Sequence, residues 1–239
     1  MAVDACAARM PGRARTLVAL TLALALAGCA GSSARDNGVA SRTPAQIVAL
    51  ATSAAVGAAS VHVAGSIVGE GKPISLNMEL DAQKGGQGRV TLGDLSIELV
   101  NVDRAVYIKT GAAFYSRFAG HAAARALRGR WLRGSNTVGP LASFTSLTNL
   151  RKLLSGTLAG HGALSRAAST TVEGRQAVAV SDAAGNGTLY VASTGTPYPL
   201  EIVKRGANGG KLVFNKWNQP VSLAVPPNPI DISQLQRRG

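Results

Sequence analysis

The sequence predicts an α+β domain: a large antiparallel sheet, prone to curl, with helices gathered on one face. Three observations predict it. Helical periodicity opens the domain and then interrupts two blocks of strands, instead of alternating with single strands. The clearest strand, Ile74 to Leu80, alternates apolar and polar residues with a period of two, as a sheet with one wet face does. Glycine-centred turn signals separate the strands at short spacing.

Taken in order, Thr43-Pro44 opens the first helix, with an N-cap hydroxyl and proline at the first helical position. It runs to about Ser60, with Ile47, Leu50, Ala51 and Ala54 expected on its inner face. Strands follow around Val61 to Ile67, Ile74 to Leu80, Val90 to Leu92, Ile97 to Leu99 and Val106 to Ile108. Gly85-Gly86 and Gly93-Asp94 read as turns between them. Ala112 to Arg128 carries Phe114, Phe118 and His121 at helical spacing and ends near Gly129. Phe144, Leu147, Leu150, Leu154 and Leu158 make a second helical stripe, closed by Gly160. Strands then resume, with Glu173-Gly174 as a turn, and the last is expected at Val221 to Val225.

The N-terminus reads as a targeting segment. Arg9, Arg13 and Arg15 precede an apolar run from Leu17 to Ala27. That run is too short for a membrane-spanning helix, which needs about 20 apolar residues, and it suits a signal peptide. It ends in Leu26-Ala27-Gly28-Cys29, which resembles the bacterial lipobox. The resemblance implies cleavage before Cys29 and acylation of its thiol, palmitate included. Two acyl chains on one residue suffice for stable anchoring. The expected organisation is a lipoprotein signal peptide over 1–28, a lipidated cysteine and flexible tether over 29–42, and one domain over 43–239. Met10 is an alternative start with a more compact basic segment. An exported protein, anchored on the extracytoplasmic face of the cell membrane, follows from this reading.

Cys6 is the only other cysteine and lies in the removed segment, so no disulfide or cysteine metal site is expected. The formal charge is +13; Arg9, Arg13, Arg15 and Asp4 lie in the first 28 residues, which leaves +11 for the mature chain. From Arg104 to Val172 there is no acid at all. A single-signed block of this kind suits an anionic partner, and for an exported protein the nearest is a lipid headgroup. Arg117, Arg125, Arg128, Arg130, Arg133, Arg151 and Lys152 are the candidate headgroup or membrane contacts. Arginine decorating a solvent face would give the same composition. Nucleic acid is the wrong partner, in compartment and for want of aromatic residues to stack bases on.

The ordered segments Val102-Asp103 with Tyr107-Ile108-Lys109, Gly129-Arg130-Trp131, Val172-Glu173-Gly174, Leu189-Tyr190-Val191, Pro199-Leu200-Glu201-Ile202 and Trp217-Asn218-Gln219-Pro220-Val221, closing on Pro226-Pro227, resemble the actinobacterial LppX/LprG-type lipoproteins. Those share the LolA-like lipoprotein-carrier fold. The resemblance implies a curved antiparallel half-barrel with helices packed on its concave face, where acyl chains of a lipid or glycolipid are held. It implies binding or transfer of a lipid by a monomer, with no cofactor and no catalytic residues. A non-enzymatic regulator or scaffold binding an envelope protein is the alternative use of the same fold.

Candidate cavity-lining residues are Ile74, Leu76, Met78, Leu80, Val90, Leu92, Ile97 and Leu99 on the sheet, and Phe144, Leu147, Leu150 and Leu154 on the covering helix. The same residues also suit a solid core. His62, His121 and His161 are dispersed, without acids at ligand spacing, and no Gly-x-Ser-x-Gly elbow occurs, so neither a metal site nor an enzyme is expected.

Overall fold

A computed structural model describes residues 35–236 other than 70, 183, 185, 186 and 208. The expected signal segment and Cys29 lie outside the described residues.

Twelve strands form one curled sheet in the order β12-β6-β5-β4-β3-β2-β1-β11-β10-β9-β8-β7. The first block is a meander: β1 Ser60–Gly69, β2 Lys72–Asp81, β3 Gly85–Leu92, β4 Leu95–Val102, β5 Ala105–Thr110 and β6 Trp131–Ser135. The second is β7 Leu164–Val172, β8 Arg175–Asp182, β9 Gly187–Ala192, β10 Pro199–Lys204 and β11 Gly210–Asn215. The blocks join where β1 pairs antiparallel with β11. A short β12, Ile230–Asp231, runs parallel to β6. The helices are α1 Pro44–Gly57, α2 Ala112–Phe118, α3 Gly120–Leu127, α4 Thr145–Thr148, α5 Leu150–Ala159 and α6 Ile232–Gln236. The predicted α+β half-barrel, with helices in its concavity, is the observed architecture.

The register gives this sheet two distinct ends. At the near end lie the β2–β3 and β4–β5 turns, and the chain arrives there through a bridge between Asp36 and Thr194. At the far end lie the β1–β2, β3–β4 and β10–β11 turns. The segment holding α2 and α3 leaves β5 and returns to β6 at that far end, since Lys109 pairs with Trp131. Helix α5 runs from near to far: Asn149 shares a cleft with Asp81 and Arg104, whereas Leu158 and His161 meet Asp182 and Gly187.

Several sequence expectations change on the structure. Helix α1 has the predicted N-cap, reinforced as a capping box in which Thr43 Oγ1 accepts from Gln46 N and Gln46 Oε1 from Thr43 N. Its buried face is Ile47, Val48, Ala51 and Ala55, whereas Leu50 is exposed. The reason is that α1 serves two partners: its first turns fill a cluster with Val178, Val180 and Val191, and Ala55 joins the main core. Gly85 and Gly86 are strand residues. The turn is made instead by Asp81, whose carboxylate accepts from Gln83 N and Lys84 N at 2.9 and 2.8 Å. Gly86 is small because a Cβ there would stand 2.6 Å from Leu80 Cδ2 and 2.9 Å from Thr148 O.

The expected single helix from Ala112 to Arg128 breaks into α2 and α3 at Gly120, which takes a left-handed φ of 84°. The second stripe also breaks, where Asn149 accepts from Lys152 N and caps α5. No strand forms at Val221 to Val225. Pro220, Pro226, Pro227 and Pro229 cannot donate to a ladder, and the segment lies over the convex face with Leu223 against Val100, Val102, Ala105 and Tyr107. Within the span expected as a tether, described residues contact the domain: Asn37 Nδ2 donates to Ala192 O and Gly195 O, and Val39 is buried.

Candidate functional site

The concave face is apolar from edge to edge of its centre. Val61 and Val63 of β1, Met78 and Leu80 of β2, Val90 of β3, Ile97 and Leu99 of β4, and Val106 and Ile108 of β5 point the same way and are buried. Alternation along each strand puts them there. Leu150, Leu154 and Leu158, on successive turns of α5, cover them, with Tyr115 of α2 and Ala124 of α3 beside them.

The predicted lining residues divide three ways. Met78, Leu80, Val90, Ile97, Leu99, Leu150 and Leu154 come together in this cluster, with Leu76, Phe144 and Leu147 half-buried against it. Ile74 is half-buried nearer the far end, opposite Leu92 in the ladder. Leu92 is 39% exposed beside the β3–β4 turn. Val106, Ile108, Leu212 and Phe214 belong to the same wall but were not singled out from the sequence. Their strands are short, and a run such as Val106-Tyr107-Ile108, buried on both faces, hides the alternation.

Between sheet and helices the packing is close. The cavity bordered by Val48, Leu158, Leu164, Val180, Leu189 and Ile202 has about 80 Å³, against roughly 300–1,000 Å³ for a typical small-molecule site. Larger clefts open to solvent elsewhere on the surface. One of about 740 Å³ at the near end is bordered by Asp81, Asn101, Arg104, Asn136 and Asn149. Above it Asn101 Nδ2 donates to Thr148 Oγ1 at 3.0 Å, a buried polar pair that holds α4 to β4.

Two buried polar atoms are unmatched among the described residues: Trp217 Nε1 at the margin of the apolar layer and the Tyr115 hydroxyl within it. The Tyr115 side chain is 3% exposed and its hydroxyl has no hydrogen-bond partner among the described residues. Burial pushes its pKa up, so it is a neutral donor at any physiological pH. A buried hydroxyl without a partner costs about 1–3 kcal/mol, and such groups call for a ligand, a water or strain as their explanation. The sequence offers one faint signal for it: Tyr115 is the polar-tipped member of the Phe114-Tyr115 pair in α2.

The predicted basic contacts do not form one patch. Arg117, Arg125, Arg128 and Arg130 gather at the far end on and just after α2 and α3, all exposed. Arg151 and Lys152 sit on the first turn of α5, at the near end. Arg133 is committed to Asp231 of β12 at 2.9 Å. Among the far-end arginines, Arg117 faces Asp94 at 3.3 Å, and the other three make no ion pair among the described residues.

His62 lies on the convex face between Asn215 and Asn77, and His121 and His161 are exposed. Among the described residues no three His, Cys, Asp or Glu side chains converge as a metal site would require. No described helix is long and apolar enough to cross a membrane.

A curled sheet whose hollow is covered by short helices is an architecture that solved structures share. LprF from Mycobacterium bovis has it: the two chains superpose with a TM-score of 0.55 at 16% identity, over 77% of this chain and 96% of that one. The Mycobacterium tuberculosis lipoprotein LppX gives a TM-score of 0.49 at 16% identity, over 76% and 98%. A LolA superfamily protein from Nitrosomonas europaea gives 0.24 at 9%, over 78% and 96%. The resemblance drawn from residue order therefore holds for the fold, and LprF carries that conclusion. No protein-family model matches the chain, and no curated protein matches it.

Proposed function

We propose that this chain is an exported lipoprotein, anchored to the cell membrane through acylated Cys29, that takes up the acyl chains of an anionic lipid or glycolipid between its sheet and its helices and transfers them. The observation that carries this reading is the unmatched Tyr115 hydroxyl within an otherwise apolar layer. An ester carbonyl or a headgroup hydroxyl entering with an acyl chain would accept its proton. Met78, Leu80, Val90, Ile97, Leu99, Leu150 and Leu154, with Leu76, Phe144 and Leu147 at the margin, would line the chains.

The observed layer is closed, so uptake requires helices to lift. Each buried methylene gains about 0.8 kcal/mol over water, and the bilayer offers nearly the same. Exchange between protein and membrane is then close to balanced, which suits a carrier. Nothing in this scheme needs catalysis.

Native mass spectrometry with lipid extraction tests it, on the chain from residue 30 onward made in an actinobacterial host. The expected result is a bound lipid of discrete mass, reduced in Leu150→Trp and Tyr115→Phe. A bare protein that takes nothing from anionic vesicles sinks the carrier reading. The close-packed interior would then favour a scaffold that binds an envelope protein.

A further inference from the structure

The two ends of the half-barrel differ in what they present. At the near end the described chain begins, with Asn37 N donating to Ser193 O at 3.0 Å and Arg35 O accepting from Gly195 N. The far end carries the α2–α3 hairpin, with Phe118 of α2 65% exposed, the second most exposed large apolar side chain among the described residues. Its ring leans on that of Phe114, 4.9 Å between centroids. Arg117, Arg125, Arg128 and Arg130 lie on and just after the same two helices, all exposed, with Asp94 the one acid paired to them among the described residues. An exposed aromatic ring on a segment rich in arginine is the composition that interfacial segments use on anionic bilayers: the ring enters the acyl boundary while the guanidinium groups meet phosphates.

Lengths decide which bilayer. From Cys29 to Arg35 there are six residues, which reach about 21 Å fully extended. Strands β1 and β2, ten residues each, span about 33 Å from near end to far end. An anchor at Cys29 is too short to let the far end point down onto the membrane that holds it. We infer that the α2–α3 hairpin docks on a second anionic lipid surface, opposite the one carrying the anchor, through Phe118 inserted among headgroups and Arg125, Arg128 and Arg130 on their phosphates. This rests on the acylated-carrier reading above and names the surface with which that carrier exchanges. The hairpin that docks is also the part of the helical layer holding Tyr115, so docking would bring the acceptor bilayer to the edge of the apolar layer.

Vesicle clustering tests the inference. The full chain, acylated in an actinobacterial host and checked by mass at Cys29, is placed in vesicles of phosphatidylcholine. Acceptor vesicles of phosphatidylcholine, with or without phosphatidylglycerol, are then added. Clustering is expected with anionic acceptors only. It should fall about tenfold or more in the Arg125→Glu/Arg128→Glu pair and markedly in Phe118→Ser. The near-end pair Arg151→Glu/Lys152→Glu should leave it unchanged. A circular-dichroism melt confirms that each variant is folded, and the exposed position of all these side chains leaves the core intact. Absence of clustering, indifference to the far-end variants, or equal sensitivity to the near-end pair overturns the inference, as does an unacylated Cys29. Lipid content measured on the same samples separates the two readings: lipid retained without clustering removes the docking surface and keeps the carrier.

Discussion

Two parts of the helical layer cover one apolar sheet and are built differently. Helix α1 begins with a complete capping box and α5 with an asparagine cap, and the two pack along each other across the hollow. They bury Ile47 on one side and Leu150, Leu154 and Leu158 on the other. The α2–α3 hairpin has no side-chain cap at either helix, starts at Gly111, and breaks at Gly120. Its fully buried contributions are Tyr115, with an unmatched hydroxyl, and the small Ala124. Burial of large apolar side chains and satisfied helix ends stabilise the first pair, and the second lacks most of both. The difference teaches that a single layer can combine a well-anchored wall with a sparsely anchored cover, with local stability set residue by residue.

The contrast can be broken most severely at the wall. Leu154→Ala leaves a cavity where nothing can collapse and should cost about 2–5 kcal/mol in urea unfolding. Leu127→Ala in the hairpin, half-buried, should cost distinctly less in the same measurement. Equal losses would mean that the hairpin is as integral as the wall. Thr43→Ala removes the α1 capping box and should cost about 1 kcal/mol.

Tyr115→Phe sharpens the comparison, because it removes a buried hydroxyl that has no partner. The lipid-free protein should lose nothing and gain up to about 1 kcal/mol. A clear loss would show that the hydroxyl is bonded in solution. Hydrogen exchange should open amides 112–127 well before those of 150–158, and simultaneous exchange would erase the distinction.

The smallest effect lies in the sheet beneath both. Burial raises the pKa of Glu98, but Lys109 at 2.9 Å and Arg89 at 3.1 Å more than offset it and hold it below the usual carboxylate value. Its contribution to stability is therefore present above the unfolded-state pKa and is lost as pH falls through the lowered folded value. Glu98→Gln should flatten the acid limb of the stability curve slightly, with no change near neutrality. The pair is partly exposed and screened, which keeps the effect small.

The α+β layout, the capped start of α1, the β2 face and the leucine stripe of α5 were all legible in the sequence. Each is a local signal: Thr43-Pro44 needs only its own first turn, and Ile74 to Leu80 needs only a pleat. The misreadings share a different cause. Gly85-Gly86 looked like a turn because glycine is permissive, yet close approaches require them: Asn101 O of β4 crowds Gly85, and Thr148 O of α4 crowds Gly86. Val221 to Val225 looked like a strand because its residues favour one, while four nearby prolines and the convex apolar cluster make it a strap. Leu50 lost the inner face of α1 to Val48 because two separate clusters share that helix.

The sequence by itself determined the basic and then apolar run ahead of Cys29, the helix and strand content, the apolar face and the excess of arginine. Composition and period depend on residues within a few positions of one another, so no partner is needed to read them. Only the tertiary structure decided that the basic block splits between two ends, that Arg133 is spent on Asp231, that Tyr115 is buried without a partner and that Phe118 stands at the end opposite the incoming chain. Those are facts of strand register and of which helix crosses which strand. They arise from contacts between residues tens of positions apart, where no local periodicity carries the information.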